Sequence, residues 1–263
     1  MKKFVAAALS LAAAATVAAG PSVPMKSVSD FIGQTKLLKS TENGFRFTSS
    51  RYFSVETRGR IPVDPAKKYR ISFEYRLAPG SKPVPNFYLG PTGFDAKGAK
   101  IAGAAQNVTA GSDTTLAGAA KAGDTVIKIK NGGKWSVKWG FAAFDTKPDL
   151  SDLPNSDIVS IKAVEKTGDV WSVTLAQPLK KDYAAGTNVR NQRAAASYRY
   201  VVYGKVPAEW TKVDAVIQGS ARESAPGYLR KWRLGTTQAG LTFFTQADGG
   251  DVEIRNLVLE EIE

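Results

Sequence analysis

Between residues 67 and 77 the chain reads KKYRISFEYRL, and it alternates strictly. Tyr69, Ile71, Phe73 and Tyr75 fall on one face, Arg70, Ser72, Glu74 and Arg76 on the other. Successive side chains of a strand point to opposite faces, so this pattern suits a half-buried β-strand and no helix. Ala78-Pro79-Gly80 ends it with turn residues. Shorter β candidates surround it: 44–48, 51–55, 60–63, 84–89 and 94–98 before the centre, then 197–203, 210–218, 241–246 and 251–259 after it. Pro85 places 84–89 at a sheet edge or a strand start. One helix is expected, over 27–39 (SVSDFIGQTKLLK), with Ser29 or Asp30 as its cap and Phe31, Ile32, Leu37 and Leu38 at partial apolar spacing. Many short strands separated by Gly and Pro turns predict an all-β protein of sandwich or barrel type.

The centre differs in character. Residues 102–123 are rich in Ala, Gly and Thr and poor in aromatics. DTVIKIK (124–130) then alternates with Ile127 and Ile129 inward, and 157–164, 170–175 and 187–189 continue the β pattern. A weak echo links Thr115-Leu116-Ala117 and 122–126 (AGDTV) with Thr174-Leu175-Ala176 and 185–189 (AGTNV). Its spacings differ, which argues against a true duplication but marks 112–191 as one compact β unit. The strands before it are too few to close a sandwich, and the aromatic-rich style returns after Tyr198. The expected architecture is an antiparallel sandwich from 42–111 and 192–263, interrupted by a small β-barrel-like insert at 112–191. Residues 20–41 form an N-terminal leader.

Residues 1–19 read as a secretory signal. Lys2 and Lys3 precede an apolar run from Phe4 to Val17, and Ala18-Ala19 supplies small residues for cleavage after Ala19. The run is shorter than the roughly 20 apolar residues of a membrane span. No Cys follows it, which excludes a lipoprotein. The expected destination is the periplasm or the outside of the cell, with no membrane span in the mature chain.

The sequence contains no Cys and no His. Disulfides, thiol nucleophiles, Ser-His-Asp triads and the usual zinc sites are therefore excluded. The formal charge is +12, and loss of Lys2 and Lys3 leaves +10. A basic exported protein suits an acidic partner, although Lys and Arg spread along the chain also serve plain solubility. Lys180-Lys181 and Arg190 with Arg193 match no nucleic-acid motif, so nucleic acid is not an expected partner.

Several runs carry a resemblance. They are Ile61-Pro62-Val63-Asp64-Pro65-Ala66-Lys67-Lys68-Tyr69-Arg70-Ile71-Ser72-Phe73, then Tyr88-Leu89-Gly90 with 94–101 (FDAKGAKI), Trp210-Thr211, and the ending 251–260 (DVEIRNLVLE). Over 42–105 and 195–263 the chain resembles jelly-roll modules of the galactose-binding-like group. These include bacterial carbohydrate-binding modules and phage tail adhesion domains. The resemblance implies a jelly-roll sandwich that binds glycans without turnover. Many such modules carry adjacent acids before the last strand. Here Asp248 and Asp251 are split by Gly249-Gly250, which puts a calcium site there in doubt.

Glycan sites combine aromatic rings, which stack on sugar faces, with polar groups that bond to hydroxyls. The expected ligand-binding set is Tyr228, Arg230, Trp232 and Arg233, where an aromatic among cations can stack while the cations hold an anionic group. Arg76, beside Glu74 on the polar face of the best strand, is expected to join Asn86, Tyr88 and Arg199 if their strands are neighbours; a solvated sheet face is the plainer alternative. Trp135 and Trp139 share a face with Val137 if extended, equally the mark of a core face. Trp171 and Trp210 are expected in the core.

Asp149 and Asp152 lie in a Pro-bracketed loop, where Asp favours turns. They are the best pair for glycoside hydrolysis, and with Asp145 they could instead hold structural calcium. No other cofactor is expected. The preferred function is a secreted, non-catalytic carbohydrate-binding protein, with anionic glycans among its candidate ligands, whose partner is a polysaccharide or cell-surface glycan. The alternatives are a structural or adhesive surface protein and a glycoside-acting enzyme.

Overall fold

The computed structural model describes residues 20–23, 25–196 and 198–263. The expected secretory signal lies outside them. The described residues form an all-β protein with antiparallel sheets. A five-stranded sheet runs in the order Thr211–Ile217, Lys68–Leu77, Asp251–Ile262, Gly44–Thr48, Leu38–Thr41. A six-stranded sheet runs Phe31–Gly33, Ser54–Thr57, Gln238–Thr245, Phe87–Phe94, Val202–Gly204, with Ile61–Pro62 also pairing to Gln238–Thr245.

These two sheets bury one core between them. Tyr69, Ile71, Phe73 and Tyr75 are buried, as their alternation requires, and meet Phe87, Leu89, Leu241 and Phe243 of the second sheet. Rings bridge the sheets, with Phe31 and Phe45 edge to face at 4.9 Å and Phe47 and Phe87 at 6.0 Å. On the outer face of the five-stranded sheet the polar partners pair across strands: Arg76 with Glu253 at 2.8 Å and Arg255 with Glu74 at 2.5 Å.

The helix expected over 27–39 does not form. Two 3-10 turns, Val28–Asp30 and Thr35–Leu37, flank the strand Phe31–Gly33, and the strand Leu38–Thr41 follows. Gly33 has φ +102°, which no right-handed helix admits, and a Cβ there would sit 2.5 Å from the Ser54 carbonyl oxygen. Burial of Phe31 and Leu38 in the sandwich core outweighs a weak helical preference.

The middle unit forms its own six-stranded sheet, in the order Thr114–Thr115, Asn188–Arg193, Gly140–Phe144, Ile158–Thr167, Val170–Leu175, Val126–Ile129. Ile127 and Ile129 point inward with Leu116, Val173, Leu175 and Val189, and Phe144 stacks on Tyr183 at 4.2 Å. The sheet curls until its edges touch. Leu116 bridges Ile129, and Ala117 N–H donates to the Lys128 carbonyl at 2.8 Å. No continuous ladder closes it into a barrel, because its first edge strand is only two residues long.

Candidate functional site

The six-stranded sheet of the sandwich carries aromatic residues on both faces. Period two explains this: Leu241 and Phe243 enter the core, so Phe244 lies on the outer face. Phe87 and Leu89 enter the core, so Tyr88 lies outside. The register pairs Phe244 with Tyr88 and Tyr88 with Tyr203. Close by, the chain at Arg199 and Tyr200 presses onto the sheet over Gly90. A Cβ on Gly90 would lie 2.0 Å from the Arg199 carbonyl oxygen, so only glycine permits the crossing.

Five rings gather there. Tyr203 and Tyr200 are 5.0 Å apart, Tyr200 and Tyr88 5.7 Å, Tyr88 and Phe244 6.0 Å, Phe244 and Tyr198 5.8 Å. Their planes tilt by 47–67°, the edge-to-face habit of aromatic groups. Tyr203 is 66% exposed and the others are half-buried. Burial pushes the Tyr198 phenol up. Burial and the neighbouring Tyr228 raise that of Tyr200, so these two hydroxyls stay protonated at neutral pH.

Polar groups border the rings. Asn86 and Gln246 are exposed, and the Tyr88 hydroxyl donates to Gln246 Oε1 at 3.4 Å. Farther along the same face, Glu56 accepts from Thr242 Oγ1 at 3.3 Å and pairs with Lys100 at 2.5 Å. The arrangement offers apolar ring surface edged by uncharged hydrogen-bonding groups.

The residues expected from the sequence reach three places. Asn86 and Tyr88 belong to the ring cluster, and Tyr228 touches it through Tyr200. Arg76 does not join them. Its strand lies in the five-stranded sheet, theirs in the other, and its guanidinium stacks on Trp210 at 4.6 Å while bonding Glu253. Trp210 is accordingly half-buried under Arg76 and Arg255 rather than a core residue.

Trp232 and Arg233 are buried, contrary to the exposed site expected of them. Trp232 is 2% exposed and packs edge to face on Tyr69 at 5.2 Å. The run is not a loop. Tyr228–Arg230 is a 3-10 turn, and Trp232–Arg233 pairs in parallel with Ser220–Ala221. Arg233 donates to Glu223 at 3.0 Å, to the Ile101 carbonyl at 3.2 Å and to the Ala196 carbonyl at 2.7 Å. Arg199, also buried, lies 3.6 Å from Glu223 and donates to the Tyr228, Lys231 and Ala221 carbonyls. Burial pushes its guanidinium down, and Glu223 offsets part of that cost. These two arginines and Glu223 clamp the segments that lead into and out of the middle unit. Arg230 alone of the basic residues in this run is exposed.

The Pro-bracketed acids are engaged with the protein. Asp152 pairs with the buried Arg190 at 2.7 Å, Asp149 accepts the Ser151 N–H at 3.1 Å, and Asp145 pairs with Lys181 at 3.1 Å. Among the described residues no group of three His, Cys, Asp or Glu gathers to hold a metal ion. None of their helices is long and apolar enough to cross a membrane.

Tyr198, Tyr200, Tyr203 and Phe244 were not singled out from the sequence. The signal was present in the pair Phe243-Phe244: adjacent aromatics in a strand face opposite ways, so one of them must leave the core. No family model, curated protein or solved structure matches the chain.

Proposed function

We propose that the chain is an exported, non-catalytic carbohydrate-binding protein whose jelly-roll module binds a polysaccharide or cell-surface glycan on the outer face of the six-stranded sheet. The five-ring cluster carries this reading. Rings packed against one another lose little freedom on binding, and they present the apolar surface on which sugar faces stack. Asn86 and Gln246 supply groups for sugar hydroxyls. The secretory pattern of residues 1–19 fits a role outside the cytoplasm.

A second reading, a structural or adhesive protein that binds other chains, draws on the sheet edges. Tyr203 in the edge strand Val202–Gly204 and Val216 in the edge strand Thr211–Ile217 are both exposed.

Binding of the chain from Gly20 to a broad glycan array, at two salt concentrations, separates the two. The glycan reading expects selective binding that Tyr200→Ala and Tyr203→Ala each weaken about ten-fold, equivalent to about 1.4 kcal/mol. A folded protein that binds no glycan at either salt concentration supports the adhesive reading instead.

A further inference from the structure

The middle unit exposes one aromatic ring that the ring cluster does not explain. Trp139 is 65% exposed, and its φ is +62°, in the left-handed region that bulky residues avoid. An apolar ring is thus held in water by a strained backbone, and strain of this kind concentrates at ligand sites.

The loop that presents it is anchored on all sides. Trp135 is buried, and its Nε1–H donates to the Ser112 carbonyl at 2.8 Å. Asn191, fully buried, accepts the Ser136 N–H at 3.2 Å and donates to the Phe141 carbonyl at 3.2 Å. Gly140 N–H donates to the Val137 carbonyl at 3.0 Å, and Ala194 N–H donates to the carbonyl of Trp139 itself at 2.7 Å. A Cβ on Gly140 would lie 1.8 Å from the Ser136 carbonyl oxygen, so the chain can close this tightly only with glycine there.

The surroundings are cationic. Lys138 precedes Trp139, Lys134 lies in the same loop, and Arg193 is the ladder partner of Gly140. All three are exposed, and none is in an ion pair among the described residues. No acid occurs between Asn131 and Phe144. Trp135 and Trp139 therefore divide the roles their spacing left open: one anchors the loop and the other is displayed.

We infer that this loop is a second binding site, for an acidic polysaccharide. The Trp139 ring stacks on a sugar face while Lys138, Arg193 and Lys134 meet carboxylate or sulfate groups. An anionic membrane surface fits less well, because one ring and the exposed Val137 make a small apolar face for insertion. The site shares no residue with the ring cluster, so it goes beyond the glycan reading given above and does not depend on it.

The test is electrophoresis of the chain from Gly20 through gels containing polygalacturonate, chondroitin sulfate or a neutral galactan, at low and high salt. Both acidic polymers should retard it, the neutral one should not, and added salt should weaken the effect. Trp139→Ala should lower the affinity for polygalacturonate at least ten-fold. Lys138→Gln with Arg193→Gln should flatten the salt dependence. Polygalacturonate should also protect a tryptophan from acrylamide quenching in the parent and in Tyr203→Ala, but not in Trp139→Ala.

Equal retardation of parent and Trp139→Ala overturns the inference. So does a parent that neither acidic polymer retards, or one that binds phosphatidylserine vesicles but no polymer. Tyr200→Ala and Tyr203→Ala should keep full polygalacturonate binding. Their effect on the glycan array reports on the ring cluster alone, so failure of one site is distinguishable from failure of the other.

Discussion

Among the described residues, the sandwich core holds seven phenylalanines with Tyr69, Tyr75 and Trp232. The core of the middle unit is mostly aliphatic, with Trp135, Phe144 and Tyr183 as its aromatics. Two facing sheets stand about 10 Å apart, and large rings fill that gap from both sides. A single sheet curled on itself encloses a narrower space, which Ile, Leu and Val fill. The surfaces differ in the same way. The sandwich carries rings on a sheet face, where neighbouring strands hold them, whereas the middle unit displays its ring on an anchored loop. Each region also buries charge, the sandwich as Arg199–Glu223–Arg233 and the middle unit as Arg190–Asp152.

The charge clusters offer the sharpest test of this contrast. Glu223→Gln leaves two buried guanidinium groups without an anion and should cost about 3–5 kcal/mol, read from the urea midpoint. Asp152→Asn should cost less, about 1.5–3 kcal/mol, because Arg190 keeps Asp113 at 3.6 Å and the Lys147 carbonyl at 3.3 Å. Equal losses would show that the two regions depend on buried charge alike.

Acid should expose the same pair. Burial raises the Asp152 carboxyl, but bonds from Asn155, the Lys147 N–H and Arg190 outweigh it, and the net shift is below the ordinary 3.8. A depressed carboxyl contributes stability that is present above its unfolded value and lost as pH falls through the folded one. Melting temperature should therefore fall below about pH 4, and Asp152→Asn should flatten that acid limb. An unchanged limb would remove Asp152 from the account.

Trp232→Ala tests core against site. It should destabilise by about 3–5 kcal/mol, as expected for a buried tryptophan. Glycan binding by the fraction that remains folded should be unchanged. Lost binding in a folded variant would return Trp232 to the ligand surface.

The smallest effect belongs to the middle unit. Trp139→Gly relieves a left-handed backbone and should raise stability by about 0.5–1 kcal/mol, while abolishing polygalacturonate retardation. Destabilisation instead would mean that the ring supports the loop rather than a ligand.

Much of the fold was legible in local patterns. The strand Lys68–Leu77 buries the four aromatic and aliphatic residues that its alternation selects, and Ile127 and Ile129 do the same in the middle unit. The error at 27–39 has a tertiary cause, since burial of Phe31 and Leu38 and the close approach of Gly33 to the Ser54 carbonyl all involve partners distant in the chain. The candidate site was read less well. Asn86 and Tyr88 lie in the ring cluster and Tyr228 against it, but the basic run around Trp232 suggested exposure because Glu223, the anion that permits burial of Arg233, lies ten residues away in the chain.

The sequence by itself determined the all-β class, the inward face of each alternating strand, and the absence of thiol and imidazole chemistry. These follow from side-chain period and residue type, which need no knowledge of partners. Only the tertiary structure decided which strands share a sheet, and so separated Arg76 from Tyr88. It alone brought Tyr88, Tyr198, Tyr200, Tyr203 and Phe244 together across the whole length of the middle unit, and it alone distinguished buried Trp135 and Trp232 from displayed Trp139. The physical reason is that burial depends on what covers a residue, and covering groups come from segments distant in the chain.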